Sequence, residues 1–357
     1  MRKLRVGVLG ATGMVGQRFI TLLDGHPLFH VTAVAASSRS AGRSYQEAVD
    51  GRWVMSQEIP QPVRGLTVLA VDALAQVKSE VDFLFSAVDM EKQAILDIEN
   101  AYAAEDVPVV SNNSAHRWTA DVPVLIPEVN PDHLALIETQ RRLRKWKRGF
   151  VVTKPNCSLQ SYVPVLAALS EFGPRQVMVT TFQAISGAGK LLSACPEIQD
   201  NVIPLPGEED KSEREPLKIL GRYDGDSIQL NQEIKISAHC QRVPVADGHL
   251  AAVSVGFARK PTPQQFLSCL KEWEPEPQKL RLASAPRPFF IYVEGDDRPQ
   301  TRLDRDAGNG MAITVGRLRP CHVLDYRFMA LSHNTIRGAA GGAILTAELL
   351  HAKGFFD

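Results

Sequence analysis

The chain of 357 residues exceeds what one hydrophobic core usually supports, so we expect two domains. Apolar residues make up 44% of it and charged residues 22%, which excludes a disordered chain, and no apolar run reaches the roughly 18 residues that span a membrane. Forty basic residues balance forty acidic ones, which argues against nucleic acid or a lipid surface as a partner. Any anionic ligand must therefore be bound by local groups.

The cysteines and histidines give no sign of a disulfide framework or a metal site. The 5 cysteines are scattered and odd in number, with no CxxC pair, and the 9 histidines include no HExxH pair. Cysteines left free are typical of a reducing compartment, so we expect the protein to be cytoplasmic and to hold no metal.

The first part of the chain alternates strand and helix patterns. Residues 4–9 form a strand pattern, and residues 14–23 carry apolar side chains at helical spacing. Further strands are predicted at 30–36, 81–87 and 108–111, and a further helix at 90–104. This alternation predicts a parallel sheet with helices on both faces and ligands at the carboxyl ends of its strands.

The turn after the first strand is rich in glycine and reads GATGMVG. A turn without side chains lets the backbone approach a pyrophosphate, and the next helix directs its N-terminal amides at that charge. An ordinary strand–helix turn is the alternative, but the context favours a dinucleotide. The predicted cofactor-binding residues of this turn are Gly10, Thr12, Gly13, Met14, Val15 and Gly16.

The end of the second strand indicates which dinucleotide binds. An NAD site normally has Asp or Glu there, whereas this strand runs into Ser37, Ser38 and Arg39. Two hydroxyls, with Arg39 or Arg43 adding charge, suit a 2′-phosphate. We therefore predict NADP as the cofactor.

Beyond residue 150 the chain holds fewer helical and more β-patterned runs, which predicts a mixed sheet. These runs are 176–184, 233–237, 250–258, 289–293 and 311–318. Just before them, residues 140–148 (QRRLRKWKR) are predicted to be a solvated surface segment, with a partner surface as the alternative.

A last helical pattern covers residues 335–352 and contains Gly338, Gly341 and Gly342. In an ordinary exposed helix each glycine would cost roughly 1 kcal/mol. We therefore expect another segment to pack closely against this one.

Cys157 lies in the sequence PNCS, between a β-type run (150–153) and an apolar helical stretch (159–169). A thiol near the positive end of a helix has a lowered pKa, as a nucleophile needs. A small buried cysteine is the alternative. Because Pro164 falls inside the stretch, the helix is expected to kink there or to begin later.

An ordered set of motifs resembles the aspartate-semialdehyde dehydrogenase family, in its archaeal and fungal branch. The set comprises GATGMVG, SNNSAHRW (111–118), Asn156-Cys157, TFQAISGAG (181–189), EEDK (208–211), Arg242 followed seven residues later by His249, and the C-terminal Gly/Ala-rich segment. The resemblance implies NADPH-dependent reduction of 4-phospho-L-aspartate to its semialdehyde, with release of phosphate, in lysine, threonine, methionine and isoleucine biosynthesis.

The resemblance also implies residue roles. Cys157 is the nucleophile that forms a thioester, Gln183 orients the acyl intermediate, and His249 is the acid–base catalyst. A histidine titrating near neutrality suits this role, because it can take the thiol proton and later protonate a collapsing thiohemiacetal.

For the substrate, Arg242 is expected to bind the α-carboxylate, and Glu208, or its neighbour Glu209, to pair with the ammonium. The implied phosphate ligands are Arg117, Lys211 and Asn156, and the implied further cofactor contacts are Ser186, Gly187 and Asn334.

The expected architecture is α/β. Residues 1–156 form an NADP-binding domain with a Rossmann-type doubly wound parallel sheet, completed by a C-terminal helix at 335–357. Residues 157–334 form an α+β catalytic and oligomerisation domain with a mixed sheet. The resemblance implies a homodimer or homotetramer.

Two other functions share part of this pattern. N-acetyl-glutamyl-phosphate reductase shares the chemistry, but its cysteine typically has a Gly-Cys-Tyr context that is absent here, and an acylated amine would not need Glu208. A non-catalytic NADP-binding regulator would share the fold. Such a protein would have no reason to keep Cys157, Gln183, Arg242 and His249 in order.

Overall fold

The computed structural model describes residues 2–357 and contains two large sheets. The first has six strands, all parallel, in the order β3-β2-β1-β4-β5-β6. Its strands are β1 (Leu4–Leu9), β2 (Phe29–Ala36), β3 (Val68–Ala70), β4 (Phe83–Ser86), β5 (Val109–Ser111) and β6 (Val151–Thr153). The central strands β4 and β5 are buried along their whole length, because helices cover both faces. The predicted doubly wound sheet is confirmed.

Six helices accompany this sheet. They are α1 (Met14–Leu22), α2 (Tyr45–Ala48), α3 (Gln61–Arg64), α4 (Leu74–Glu80), α5 (Lys92–Ala104) and α6 (Leu136–Arg144). The predicted helices at 14–23 and 90–104 correspond to α1 and α5. The short helices α2 and α3 span four residues each, too few to show a helical period in the sequence.

The second sheet has seven strands of mixed direction, in the order β13-β14-β15-β12-β7-β11-β8. With a small separate hairpin, β9 and β10, the strands are β7 (Pro174–Gln183), β8 (Ile203–Pro204), β9 (Arg222–Tyr223), β10 (Ile228–Gln229), β11 (Lys235–Arg242), β12 (His249–Phe257), β13 (Phe290–Val293), β14 (Ile313–Pro320) and β15 (Tyr326–Ser332). The predicted mixed sheet is confirmed.

Five helices lie in this part of the chain: α7 (Val163–Ala168), α8 (Pro206–Ile219), α9 (Pro263–Glu272), α10 (Glu276–Lys279) and α11 (Thr301–Asp304). Residues alternate along β12 between the apolar core and the opposite face of the sheet. Helix α8 begins directly before EEDK, which sequence patterns identified only as charged residues.

The chain ends in a π-helical turn (Ile336–Ala340) and helix α12 (Gly341–Ala352). The apolar residues of α12 share one core with β1 and β4, so the C-terminus returns to the first sheet. The boundary at residue 156 stays a prediction.

Two of the three glycines of this segment, Gly338 and Gly342, meet the chain around the cysteine. A Cβ on Gly338 would lie 2.8 Å from the Cβ of Cys157, and one on Gly342 would lie 2.7 Å from Nζ of Lys154. The expected close packing is therefore found, and its partner is the segment that carries the cysteine.

The prediction that residues 140–148 form a solvated surface segment is wrong in part. Gln140 is fully buried and exchanges hydrogen bonds with the backbone of Val151. Arg148 donates to the carbonyl oxygen of Phe356, at 2.9 Å. The segment therefore helps to fasten the C-terminus, and its long side chains bury their stems while their charged ends bind carbonyl groups.

The contact between Gly338 and Cys157 can be tested by Gly338→Ala. We expect the free energy of unfolding to fall by about 1–3 kcal/mol in urea titrations, because the added methyl group overlaps a packed neighbour. Gly65→Ala is the control, since no atom lies within 4 Å of its added methyl group, and it should leave stability unchanged or raise it by up to about 1 kcal/mol. Equal stability of the two variants would contradict the packing described here.

Candidate active site

A cavity of about 280 Å³ lies beyond the carboxyl ends of the first sheet's strands and brings together most of the predicted site residues. The predicted residues among those lining it are Val15, Arg117, Asn156, Cys157, Gln183, Ser186, Gly187, Glu208, Lys211 and Asn334. The lining also includes Asn112, Asn113, Ser114 and Thr335, to which no role was assigned.

Cys157 is the first residue of a 3₁₀ turn (Cys157–Ser161) that follows β6. The side-chain oxygen of Asn156 caps this turn by accepting from the backbone N–H of Ser158, at 2.9 Å. The α-helix begins only at Val163, with Pro164 in its first turn, where proline is tolerated. The expected later start of the helix is confirmed.

His249 stands beside the thiol, with 3.3 Å between its Nε2 and Sγ of Cys157. Its other ring nitrogen, Nδ1, accepts the backbone N–H of Ala184, at 3.0 Å. A neutral imidazole has one donor and one acceptor nitrogen, so this contact puts the proton on Nε2. In this arrangement His249 donates a hydrogen bond to the sulfur and cannot accept the thiol proton.

Both members of this pair are uncharged at neutral pH. Burial raises the pKa of Cys157 to about 11, with Glu208 acting in the same direction. Burial lowers the pKa of His249 to about 3, and the positive charge of Arg242 adds to this. The prediction of a lowered thiol pKa is therefore wrong for the ligand-free protein, because desolvation outweighs the effect of a single 3₁₀ turn.

The three predicted phosphate ligands lie together on one side of the cavity. Glu208 accepts from Nδ2 of Asn156, at 2.7 Å, and from Nζ of Lys211. Although burial opposes its ionisation, these hydrogen bonds lower the pKa of Glu208. Glu209 instead accepts the backbone N–H of Cys240, at 3.2 Å. Of the two neighbouring glutamates, Glu208 is thus the one that faces the cavity.

Arg242 and His249 stand behind Gly187 and do not line the cavity themselves. A Cβ on Gly187 would lie 2.8 Å from Nη1 of Arg242 and 3.0 Å from Cε1 of His249. The Nη1 group of Arg242 donates to the carbonyl oxygen of Ala184, at 2.7 Å. A side chain at position 187 would therefore require Arg242 or His249 to move. Gln183 does line the cavity, and its Nε2 donates to Oγ1 of Thr181, at 3.2 Å.

The glycine-rich turn fits a pyrophosphate. A Cβ on Gly16 would lie 2.2 Å from the carbonyl oxygen of Gly10, and Gly10 itself has φ +80°. At Gly13, by contrast, the nearest atom would be 3.5 Å away. No side chain caps α1, so its first amide groups remain available to an anion. Val15, in the first turn of α1, lines the same cavity as Cys157.

The remaining cofactor residues lie at two places. Ser37, Ser38 and Arg39 are exposed directly after β2, whereas Arg43 donates to the carbonyl oxygen of Glu47, at 2.8 Å. This leaves Arg39 as the better of the two candidate arginines.

Deeper in the cavity, Nδ2 of Asn334 donates to Oγ of Ser186, at 2.8 Å. The Oδ1 atom of Asn334 accepts the backbone N–H of Gly248, also at 2.8 Å. Asn334 therefore joins the Ser186 turn to the residue before His249.

Sequence reasoning missed Glu215, a buried carboxylate on α8 that contacts both Arg117 and Asn156. Its only signal in the sequence is its place two helical turns beyond Glu208, on a helix that the apolar pattern does not predict.

Among residues 2–357, nowhere do three His, Cys, Asp or Glu side chains come together as a metal ion would require. Within the same residues, every helix is too short or too polar to cross a membrane.

Two family profiles match the chain. "Semialdehyde dehydrogenase, NAD binding domain" covers residues 5–137, and "Semialdehyde dehydrogenase, dimerisation domain" covers residues 165–337. An aspartate-semialdehyde dehydrogenase of Archaeoglobus fulgidus is 46% identical over 97% of each chain, and one of Cryptococcus neoformans is 44% identical over 99% of each. The crystal structure of aspartate semialdehyde dehydrogenase with NADP from Candida albicans is 40% identical and has a TM-score of 0.89, covering 99% of this chain and 100% of that one. The predicted similarity to archaeal and fungal members is confirmed.

The raised thiol pKa predicts how Cys157 reacts with iodoacetamide. Alkylation of the ligand-free protein, measured by mass spectrometry of the Cys157 peptide, should accelerate about tenfold per pH unit from pH 7 to 10, because the thiolate fraction keeps rising below a pKa of about 11. Cys321 is an internal control, since backbone N–H donation from Leu324 lowers its pKa and its rate should level off earlier. A Cys157 rate that is constant above pH 8 would contradict this.

Proposed function

The chain belongs to the aspartate-semialdehyde dehydrogenase family, and we propose that it performs the family's reaction in the cavity that contains Cys157. Its activity is that of an aspartate-semialdehyde dehydrogenase in aspartate-family amino-acid biosynthesis, and its cofactor is NADP. The observation that supports the site best is the contact of 3.3 Å between Sγ of Cys157 and Nε2 of His249, next to a group of anion-binding side chains.

In the first step the sulfur of Cys157 attacks the acyl carbon of 4-phospho-L-aspartate. The S–C bond forms, the C–O bond to phosphate breaks, and the thiol proton leaves on the departing phosphate, so the products are a thioester and hydrogen phosphate. Arg117, Lys211 and Asn156 hold the phosphate, because two cations and an amide donor converge on one side of the thiol.

When bound, NADPH supplies the hydride that reduces the thioester. The amides at the start of α1 would hold its pyrophosphate, and Ser37 and Ser38, exposed after β2, would donate to its 2′-phosphate. The thiohemiacetal oxyanion then collapses: its C–S bond breaks, the aldehyde leaves, and the Cys157 thiolate takes a proton from solvent. The proton on Nε2 makes His249 a hydrogen-bond donor to the leaving sulfur. Acid–base transfer through His249 stays a prediction, because it requires that Nδ1 give up its contact with Ala184.

The cavity also favours a free amine over an acylated one. The hydrogen bonds that lower the pKa of Glu208 keep it ionised at neutral pH, and a substrate ammonium is a suitable partner for that charge. Binding of the α-carboxylate by Arg242 stays a prediction, because its guanidinium stands behind Gly187 and donates to the carbonyl oxygen of Ala184. An N-acetylated substrate would bring no cation to Glu208, which would then keep only its contacts with Lys211 and Asn156.

The profile matched by residues 165–337 is named for dimerisation, and we propose that the second sheet forms the interface of a homodimer, alone or as half of a homotetramer. Met178, Ser254, Arg327 and Arg319 stand in one row across this sheet, on the face away from the core. Met178 is 55% exposed, and the Nε atoms of Arg319 and Arg327 are buried without a partner among the described residues. A partner subunit would supply apolar cover and acceptors to this face.

The 5 free cysteines fit a reducing compartment, and we propose the cytoplasm.

The reaction is tested by phosphate-dependent NADP reduction with L-aspartate-β-semialdehyde. Cys157→Ala should lower kcat by more than about 10⁴-fold, because a covalent path has no substitute for its nucleophile. Cys240→Ala is the matched control and should leave activity close to that of the natural protein, since Cys240 is buried beside Ser212.

N-acetyl-glutamate-semialdehyde is assayed in parallel. Turnover of this aldehyde alone would identify the reductase instead, and NADP binding without turnover of either would identify a regulator.

The proposed interface is tested by Met178→Arg, which places a third positive charge in the row that contains Arg327 and Arg319. We expect sedimentation velocity to show monomers from a homodimer, or dimers from a homotetramer, because like charges and a lost apolar contact oppose pairing of the two sheets. Leu143→Arg, at a side chain 64% exposed on α6, should leave the oligomer intact. An unchanged oligomer in Met178→Arg would remove this face from the interface.

A further inference from the structure

Glu215, on helix α8, joins two parts of the active site that are distant in sequence. Its carboxylate is 2% exposed, and one oxygen accepts from Nη1 of Arg117, at 2.9 Å. The other oxygen accepts the backbone N–H of Asn156, at 2.7 Å. One side chain thus contacts both a cavity-lining guanidinium and the residue directly before Cys157.

The contact with Glu215 decides which N–H groups of Arg117 face the cavity. A guanidinium has five N–H groups in a fixed plane. Nε of Arg117 donates to the carbonyl oxygen of Lys154, at 2.9 Å, and one Nη1 hydrogen goes to Glu215. With these two fixed, the plane cannot rotate, and the Nη2 edge is left without an acceptor among residues 2–357 while Arg117 lines the cavity.

The same face of α8 also holds the backbone of Arg117. Lys218, one helical turn beyond Glu215, donates through Nζ to the carbonyl oxygens of Arg117 and Val122, at 2.9 and 3.0 Å. Both ends of Arg117 are therefore fixed from one helix. An ordinary buried ion pair would need only the contact between the two charged groups, and would not explain why the second carboxylate oxygen binds the turn of the nucleophile.

We propose that Glu215 is a positioning residue for the phosphate subsite, which aims Arg117 at the phosphate of the substrate and holds the Asn156–Cys157 peptide in line with it. This rests on the proposed function, because the anion concerned is the phosphate that the reaction releases or takes up. Glu215 touches no substrate itself. It acts by removing the rotational freedom of Arg117 and by satisfying a backbone N–H that would otherwise be buried without an acceptor.

The test is Glu215→Gln, which keeps the shape of the side chain and removes its charge and one of its two acceptor oxygens. In the oxidative direction we expect the KM for phosphate to rise about 10- to 100-fold, the range for losing one hydrogen bond between charged groups. The KM values for NADP and for the aldehyde should change by less than about threefold, because neither ligand is bound by Arg117.

Glu213→Gln is the matched control. Glu213 lies on the same helix and accepts a single backbone N–H, from Ala238 at 3.0 Å, so its amide variant keeps an acceptor there. All KM values should stay within about twofold of those of the natural protein. A general loosening of α8 would instead change every KM, in both variants, and would overturn the proposal.

A double variant tests whether Glu215 acts through Arg117. Arg117→Lys removes the forked group, so adding Glu215→Gln to it should raise the KM for phosphate by less than about threefold further. If the double variant raises the KM for phosphate by the product of the two separate increases, the proposal is overturned. The same comparison can be made without turnover, by measuring how much inorganic phosphate is needed to protect Cys157 from iodoacetamide in each variant.

If Glu215→Gln does not fold, Glu215→Asp takes its place. It keeps the charge, but its side chain is one methylene group shorter, so Arg117 must shift to keep the contact. It should raise the KM for phosphate selectively, and an unchanged value would overturn the proposal. Assays of the natural protein distinguish a failure of the proposed function from a failure of the role of Glu215. Lack of phosphate-dependent turnover in it would defeat the proposed function, whereas normal turnover with an unchanged phosphate KM in the variants would defeat only the role of Glu215.

Discussion

Close packing around the turn of residues 154–157 is the constraint on which the rest of the structure depends. The C-terminal segment covers this turn at Gly338, where a Cβ would lie 2.8 Å from Cys157. On other sides, α8 binds the turn through Glu215, and β12 brings His249 to the sulfur. Because these contacts come from three distant parts of the chain, the thiol is in place only when both sheets and the C-terminal helix are assembled.

Such packing has an electrostatic consequence. Burial keeps Cys157 protonated and His249 neutral, while Glu208 and Glu215 remain beside Arg117 and Lys211. A neutral thiol is a poor nucleophile, so the resting site is protected from adventitious electrophiles and oxidants. The fixed charges do not ionise the sulfur in advance, and under the proposed function they would act on the substrate's own charged groups.

The sequence was informative where a residue type has one physical use. GATGMVG predicted the pyrophosphate turn because only glycine allows the contact between Gly16 and the Gly10 carbonyl. The serines after β2 indicated NADP because no carboxylate stands there. The thiol pKa was predicted in the wrong direction, since the sequence shows that Cys157 precedes an apolar stretch but not how strongly its surroundings desolvate the sulfur. Desolvation is a property of the assembled fold, and no local pattern reports it.

Helix α8 is a second feature that the sequence pattern does not predict. Its buried face carries Ser212, Glu215 and Lys218, so apolar periodicity, which depends on apolar residues facing a core, gives no signal there. Buried charges of this kind persist only where each has a partner, and here the partners are Arg117, Asn156 and three backbone carbonyl groups. Replacing such a helix by an apolar one would relieve the desolvation cost but would leave Arg117 free to turn. The polar face of α8 is therefore best explained by what it holds in place.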